Sequence, residues 1–226
     1  MKRSLFLSLF ILSLVPGFAQ VKVSVLGDSY STFKDWVPEG YAIWYTPSRT
    51  NTDVKNVEET WWHRLIEDNG LQLELNNSWS GTTICHTGYN GEDCSDKSFL
   101  ARSGNLGNNP DIIYVFGGTN DDWAGVPIGE ADGTDLYSLR PAVKAMFANI
   151  KEKYPESLCI AIINTELRPE ITAAITDGCD AEGIPYIRLH AIDKQSGHPS
   201  INGMKAISSQ VWKETAPLLY QHLRKQ

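Results

Sequence analysis

The sequence predicts a three-layer α/β/α sandwich built on a five-stranded, parallel, doubly wound sheet of flavodoxin-like order. Three observations carry this: five short apolar or β-branched runs, helical periodicities alternating with them, and polar turns just after the runs. The runs cover 21–26, 71–76, 111–116, 158–163 and 185–189. The third contains Ile112-Ile113-Tyr114-Val115-Phe116, whose lack of polar alternation marks a strand covered on both faces. Helical patterns span 57–68, 139–153, 171–182 and 201 to about 224. In such a sheet ligands collect at the carboxyl ends of the strands, near the point where strand order reverses. The long connections 31–56, 79–110 and 117–137 supply the rim there.

Residues 1–19 read as a secretory signal. Lys2 and Arg3 precede an apolar run over 5–15, and the small residues Gly17 and Ala19 flank Phe18 before the expected cleavage point. The run is shorter than the roughly 20 apolar residues a membrane span needs, and no cysteine follows Ala19 to receive a lipid. Residues 20–226 are expected to form a single exported domain, periplasmic or secreted. The formal charge of −7, more acidic still without Lys2 and Arg3, disfavours nucleic acid or an anionic membrane as partner. Oligomeric state is not legible. Cys85, Cys94, Cys159 and Cys179 would enter an oxidising compartment, where two disulfides are expected, preferably Cys85 with Cys94 and Cys159 with Cys179. Without close C-x-x-C pairing, a zinc site is not expected.

Polar residues with catalytic potential recur after the strands. Gly27-Asp28-Ser29 follows the first, and its glycine permits a turn that presents Ser29 and its N–H at the sheet edge. Taken alone this is also an ordinary turn composition. Asn76-Asn77-Ser78-Trp79-Ser80-Gly81 follows the second strand, and Gly117-Gly118-Thr119-Asn120-Asp121 the third, where Asn120 can turn its amide into the cleft. Gly197-His198-Pro199-Ser200 precedes the last helix, so His198 sits in a loop from which it can reach back. His190, ending the fifth strand, is its competitor; His63, His86 and His222 fit less well.

In this order the four blocks resemble those of the SGNH (GDSL-type) esterase family, from Val21 to the last helix. The resemblance implies that Ser29 attacks an ester carbonyl and that His198 relays its proton. It further implies an oxyanion hole made by the N–H groups of Ser29 and Gly81 and the Asn120 side chain. The glycine two residues after the nucleophile in α/β-hydrolases is absent, with Ser31 in its place. One departure stands out: the family's acid lies three residues before the histidine, where this chain has Gln195. Asp193 is the nearest carboxylate, and a bulge is expected to bring it under His198; otherwise Gln195 or a backbone carbonyl orients the ring. The mechanism needs neither metal nor organic cofactor.

The rim loops carry Trp36, Tyr41, Trp44, Tyr45, Trp79, Tyr89 and Trp123, flat faces that suit sugar rings. Trp61 and Trp62 lie on the first helix and read as packing. Asp28, Trp79 and Trp123 are the expected substrate contacts, and Arg102 and Asp122 read as surface ion-pair or solvated residues. Together these features point to a small-molecule or glycan ester as substrate, with short acyl groups and O-acetyl esters foremost. Alternatives are a lipase, thioesterase or lysophospholipase for longer chains, or a carbohydrate-binding protein with impaired catalysis.

Overall fold

The computed structural model describes residues 20–224; the signal segment expected over 1–19 lies outside the described residues. Five strands, β1 (Lys22–Gly27), β2 (Gln72–Ser78), β3 (Ile112–Phe116), β4 (Leu158–Ile163) and β5 (Tyr186–Arg188), form one sheet of order β2-β1-β3-β4-β5, parallel throughout. The main covering helices are α1 (Trp61–Asp68), α4 (Leu139–Lys153), α5 (Pro169–Glu182) and α6 (Ile201–Leu223). Two short helices, α2 (Phe99–Arg102) and α3 (Thr119–Ala124), and a two-stranded hairpin, β6 (Lys194–Gln195) with β7 (His198–Pro199), complete it.

The alternation of β3 shows why the sheet has two dry faces. Ile112, Tyr114 and Phe116 pack with α1 and α6, whereas Ile113 and Val115 pack with α4 and α5. Burying each such side chain contributes about 1.5 to 3 kcal/mol, so a one-residue slip would expose neither face and misplace both sets. Trp61 and Trp62 are buried on α1, as packing residues should be. Their indole N–H groups reach Ser31, at its Oγ (3.1 Å) and its carbonyl (2.9 Å). The first helix is thereby tied to the turn that follows β1.

The cysteines depart from expectation. All four are buried free thiols and neither disulfide is formed. The loop between Cys85 and Cys94 is closed by backbone instead: Cys94 N–H donates to the His86 carbonyl and Gly88 N–H to the Glu92 carbonyl, each at 2.7 Å. The Cys85 thiol points at the Thr87 carbonyl, 3.5 Å away. Cys159 and Cys179 pack in the α4/α5 core as small apolar groups. Among the described residues no helix is long and apolar enough to cross a membrane.

Candidate active site

Strand order reverses between β1 and β3, and the turns leaving β1, β2 and β3 meet there. Gly27 ends β1 in a place with no room for a side chain: a Cβ would lie 2.5 Å from Ser78 Oγ and 2.7 Å from Ser31 Cβ. The chain then tightens, with Ser31 N–H donating to the Asp28 carbonyl at 3.0 Å and Tyr30 N–H to Asp28 Oδ1 at 3.0 Å. Ser29 sits on this turn, nearly buried. Neither its N–H nor that of Gly81 has an acceptor among the described residues.

His198 Nε2 lies 2.9 Å from Ser29 Oγ, and Nδ1 lies 3.1 Å from the Ser196 carbonyl. A carbonyl only accepts, so Nδ1 carries the proton and Nε2 is free to accept from Ser29. Burial holds the imidazole pKa down at about 4; the Ser196 carbonyl opposes this, and Arg49 and Lys194 add to it. The ring is therefore neutral near pH 7, the state a base requires.

Asp193 is not under the ring. The hairpin register pairs Lys194 with Pro199 and Gln195 with His198, so Asp193 comes opposite Ser200. Its carbonyl accepts from Ser200 N–H at 3.0 Å and its Oδ2 from Ser200 Oγ. The two residues between the strands, Ser196 and Gly197, have φ of 50° and 78°, the positive pair that a tight primed turn uses. A turn this short leaves no bulge. Gln195 is also turned away, its Oε1 accepting from Asp53 N–H at 2.7 Å. Of the alternatives left open by the sequence, the backbone carbonyl is the group at Nδ1. His190 is exposed and bonds through its backbone to Gln210.

Asn120, in the first turn of α3, is buried with both amide hydrogens near acceptors: the Thr82 carbonyl at 3.0 Å and Asp28 Oδ2 at 3.4 Å. Its Oδ1 accepts from Tyr89 O–H at 2.8 Å. Gly81 immediately precedes Thr82, so the Asn120 amide is anchored beside it. Trp123 is about half exposed and presents its ring edge-on to His198, centroids 5.8 Å apart. Trp79 stacks on Tyr41 at 4.0 Å.

Four features escaped the sequence reading. Asp28 is buried rather than facing solvent, and burial pushes its carboxyl up to about 7, with the nearby charge of Asp121 adding and the Tyr30 N–H opposing. Asp121 is buried as well, raised by burial to about 6, and accepts from Ile84 N–H at 2.9 Å. Arg102 is not solvated and has no ion pair among the described residues. It is buried, with its pKa lowered by burial to about 10, and donates to the carbonyls of Gly27 (3.3 Å), Lys97 (2.8 Å) and Asn77 and to Thr82 Oγ1 (2.9 Å). Asp122 does form a surface pair, with Arg168 at 2.6 Å. The fourth missed feature is Trp44, whose indole lies flat on His198, centroids 3.5 Å apart and planes within 7°. A strand-loop aromatic near the first block was visible in the sequence; its partner was not. Among the described residues no three His, Cys, Asp or Glu side chains are grouped to hold a metal ion.

Comparison with known proteins identifies the family of the chain. The GDSL-like lipase/acylhydrolase family model matches residues 21–215. The crystal structure of a Bacteroides uniformis protein assigned to the GDSL-like lipases is 53% identical, with a TM-score of 0.84, covering 88% of this chain and 96% of that one. A second, from Bacteroides ovatus, is 44% identical, with a TM-score of 0.85, covering 88% of this chain and 100% of that one. A family two carbohydrate esterase from Clostridium thermocellum, in complex with cellohexaose, shares the fold at 15% identity and a TM-score of 0.62, covering 88% of this chain and 64% of that one. The curated proteins give no match. With a family model spanning nearly all of the described chain and two relatives this similar, the protein belongs to the GDSL-like lipase/acylhydrolase family of ester hydrolases.

Proposed function

We propose that the protein is an exported esterase that removes short acyl groups, O-acetyl foremost, from carbohydrates, with Ser29 as nucleophile and His198 as its base. The observation that carries the chemistry is the 2.9 Å contact between Ser29 Oγ and His198 Nε2, together with the Ser29 and Gly81 N–H groups, which have no acceptor among the described residues. Ser29 Oγ attacks the ester carbonyl as its proton passes to Nε2. The oxyanion is met by the N–H groups of Ser29 and Gly81. The Asn120 N–H joins them by leaving its long 3.4 Å contact with Asp28. The imidazolium then gives its proton to the leaving alkoxide, and water, activated by the same ring, releases the acid.

The substrate class rests on the rim. The large apolar side chains exposed beside the site are the rings of Tyr89 and Trp123, flat faces rather than an aliphatic lining. The carbohydrate esterase that shares the fold was solved in complex with cellohexaose, in keeping with a carbohydrate substrate. Acetate release from a panel of acetylated glycans, with a chain-length series of p-nitrophenyl esters, tests the proposal. Acetyl and butyryl esters are expected to be cleaved fastest, and Ser29→Ala to lose about 10⁴-fold or more in kcat. A maximum beyond about eight acyl carbons would replace the acetyl reading with that of a lipase.

A further inference from the structure

We infer that Trp44, pinned to the nucleophile's own turn and backed by Arg49, is the positioning residue for His198 in a site whose carboxylate is engaged elsewhere. The inference rests on the proposed role of His198 as the base.

Two hydrogen bonds, to Ser29 Oγ and to the Ser196 carbonyl, hold the imidazole at its two nitrogens. Imidazole nitrogens bond best along the ring plane, so two such bonds fix the ring's direction more firmly than its tilt. The neighbouring rings do not supply the missing restraint in the same way. Tyr30, Tyr45 and Trp123 meet the imidazole at 56°, 82° and 69°, with centroids 5.3 to 6.4 Å away. Trp44 alone among them is coplanar, at 3.5 Å and 7°. A face at that distance blocks tilt on one side.

Trp44 is itself held to Ser29. Its N–H donates to Thr32 Oγ1 at 2.8 Å, and that hydroxyl donates to the Ser29 carbonyl at 3.2 Å. The plane of the base is thus referenced to the residue it serves. The other indole face carries Arg49, whose guanidinium carbon lies 4.0 Å from the ring centroid and whose Nε donates to the Trp44 carbonyl. The indole N–H is buried without an acceptor among the described residues. A residue placed for its hydrogen bond would not leave that group orphaned; what Trp44 gains here is contact on both faces. An aromatic face also attracts the imidazolium that forms during turnover, a charge that no carboxylate meets at Nδ1.

The test separates positioning from substrate binding. With p-nitrophenyl acetate, Trp44→Leu is expected to lower kcat about 10- to 100-fold while KM moves less than about threefold, and Trp44→Phe to stay within about fivefold of the wild type. Fluorophosphonate labelling of Ser29 should slow in the same order. A change confined to KM would make Trp44 a substrate platform, and an unchanged kcat in a folded Trp44→Leu would end the inference outright. Should Trp44→Leu not fold, the wild type decides by NMR. The His198 Cε1–H signal, identified by its loss in His198→Ala, is expected upfield of the other four histidines, and a signal within their range would mean the rings do not stack. Hydrolysis surviving in Ser29→Ala would instead break the reading of the site on which the inference rests.

Discussion

Ser29 and His198 meet across 2.9 Å, yet they stand on differently built ground. Around Ser29 the backbone is stitched by buried polar side chains. Arg102 gathers the carbonyls of Gly27 and Asn77, Asn76 and two indoles converge on Ser31, and Asp121 takes the Ile84 amide. Around His198 there is a two-residue turn, a backbone carbonyl and a set of rings, two of which also bond the neighbouring backbone through their hydroxyls. Each polar tie on the Ser29 side must be satisfied in full, because an orphaned buried group costs about 1 to 3 kcal/mol. The His198 backbone has polar ties too, from the Tyr30 and Tyr45 hydroxyls to the Gly197 and Pro199 carbonyls at 2.6 and 2.7 Å, but the ring itself is positioned largely by shape, and shape tolerates change more gradually. The nucleophile's setting should therefore fail through stability and the base's setting through rate.

Arg102→Met is the most severe way to break that contrast. It keeps the apolar stem and removes the guanidinium, leaving several buried acceptors unpaired while sparing the cost of burying the charge. A net loss of about 3 kcal/mol is expected, read as a lower midpoint in urea unfolding. A midpoint within about 0.5 kcal/mol of wild type would show that the Ser29 side is also held mainly by shape.

The pH profile sharpens the other half. His198 must be unprotonated to accept from Ser29, and its pKa is held down at about 4. Activity should therefore be fully present near neutral pH and be lost as pH falls through about 4, by about tenfold in kcat/KM per unit below it. A base paired with a carboxylate would instead lose activity around or above the ordinary histidine range. Asp28, raised to about 7, titrates in a separate window, so Asp28→Asn should leave the acid limb in place.

The smallest effect is expected from Asp193→Asn. Because Asp193 bonds Ser200 rather than His198, kcat should fall by less than about tenfold, against up to about 10⁴-fold for a triad acid. The thermal midpoint should drop modestly, for about 1 kcal/mol of lost hydrogen bonding. A loss of kcat on the triad scale would mean that the carboxylate turns to the ring during catalysis.

The strands were readable because each is a run of residues that must hide both faces, a property carried by neighbours in the chain. The four blocks were readable because turn chemistry is local too. What was missed depends on distant partners. Arg102 became a buried tie because residues 25 and 75 positions away offer it carbonyls. Trp44 meets His198 only once the hairpin folds over the sheet edge. The fate of Asp193 turned on whether Ser196 takes a positive φ, a conformation uncommon enough in a non-glycine residue that composition does not signal it. Short helices such as α2, with four residues, carry too little periodicity to be seen.

The reach of Arg102 also has a consequence in time. Gly27, Asn77 and Thr82 come from segments brought together only by closing long loops, each closure costing entropy before any contact repays it. Among the described residues no carboxylate is hydrogen-bonded to the guanidinium that could seed the cluster locally. A refolding chain should accordingly regain its helices early and its ester-cleaving power last, in step with completion of the sheet, so that recovery of activity reports the slowest event of folding.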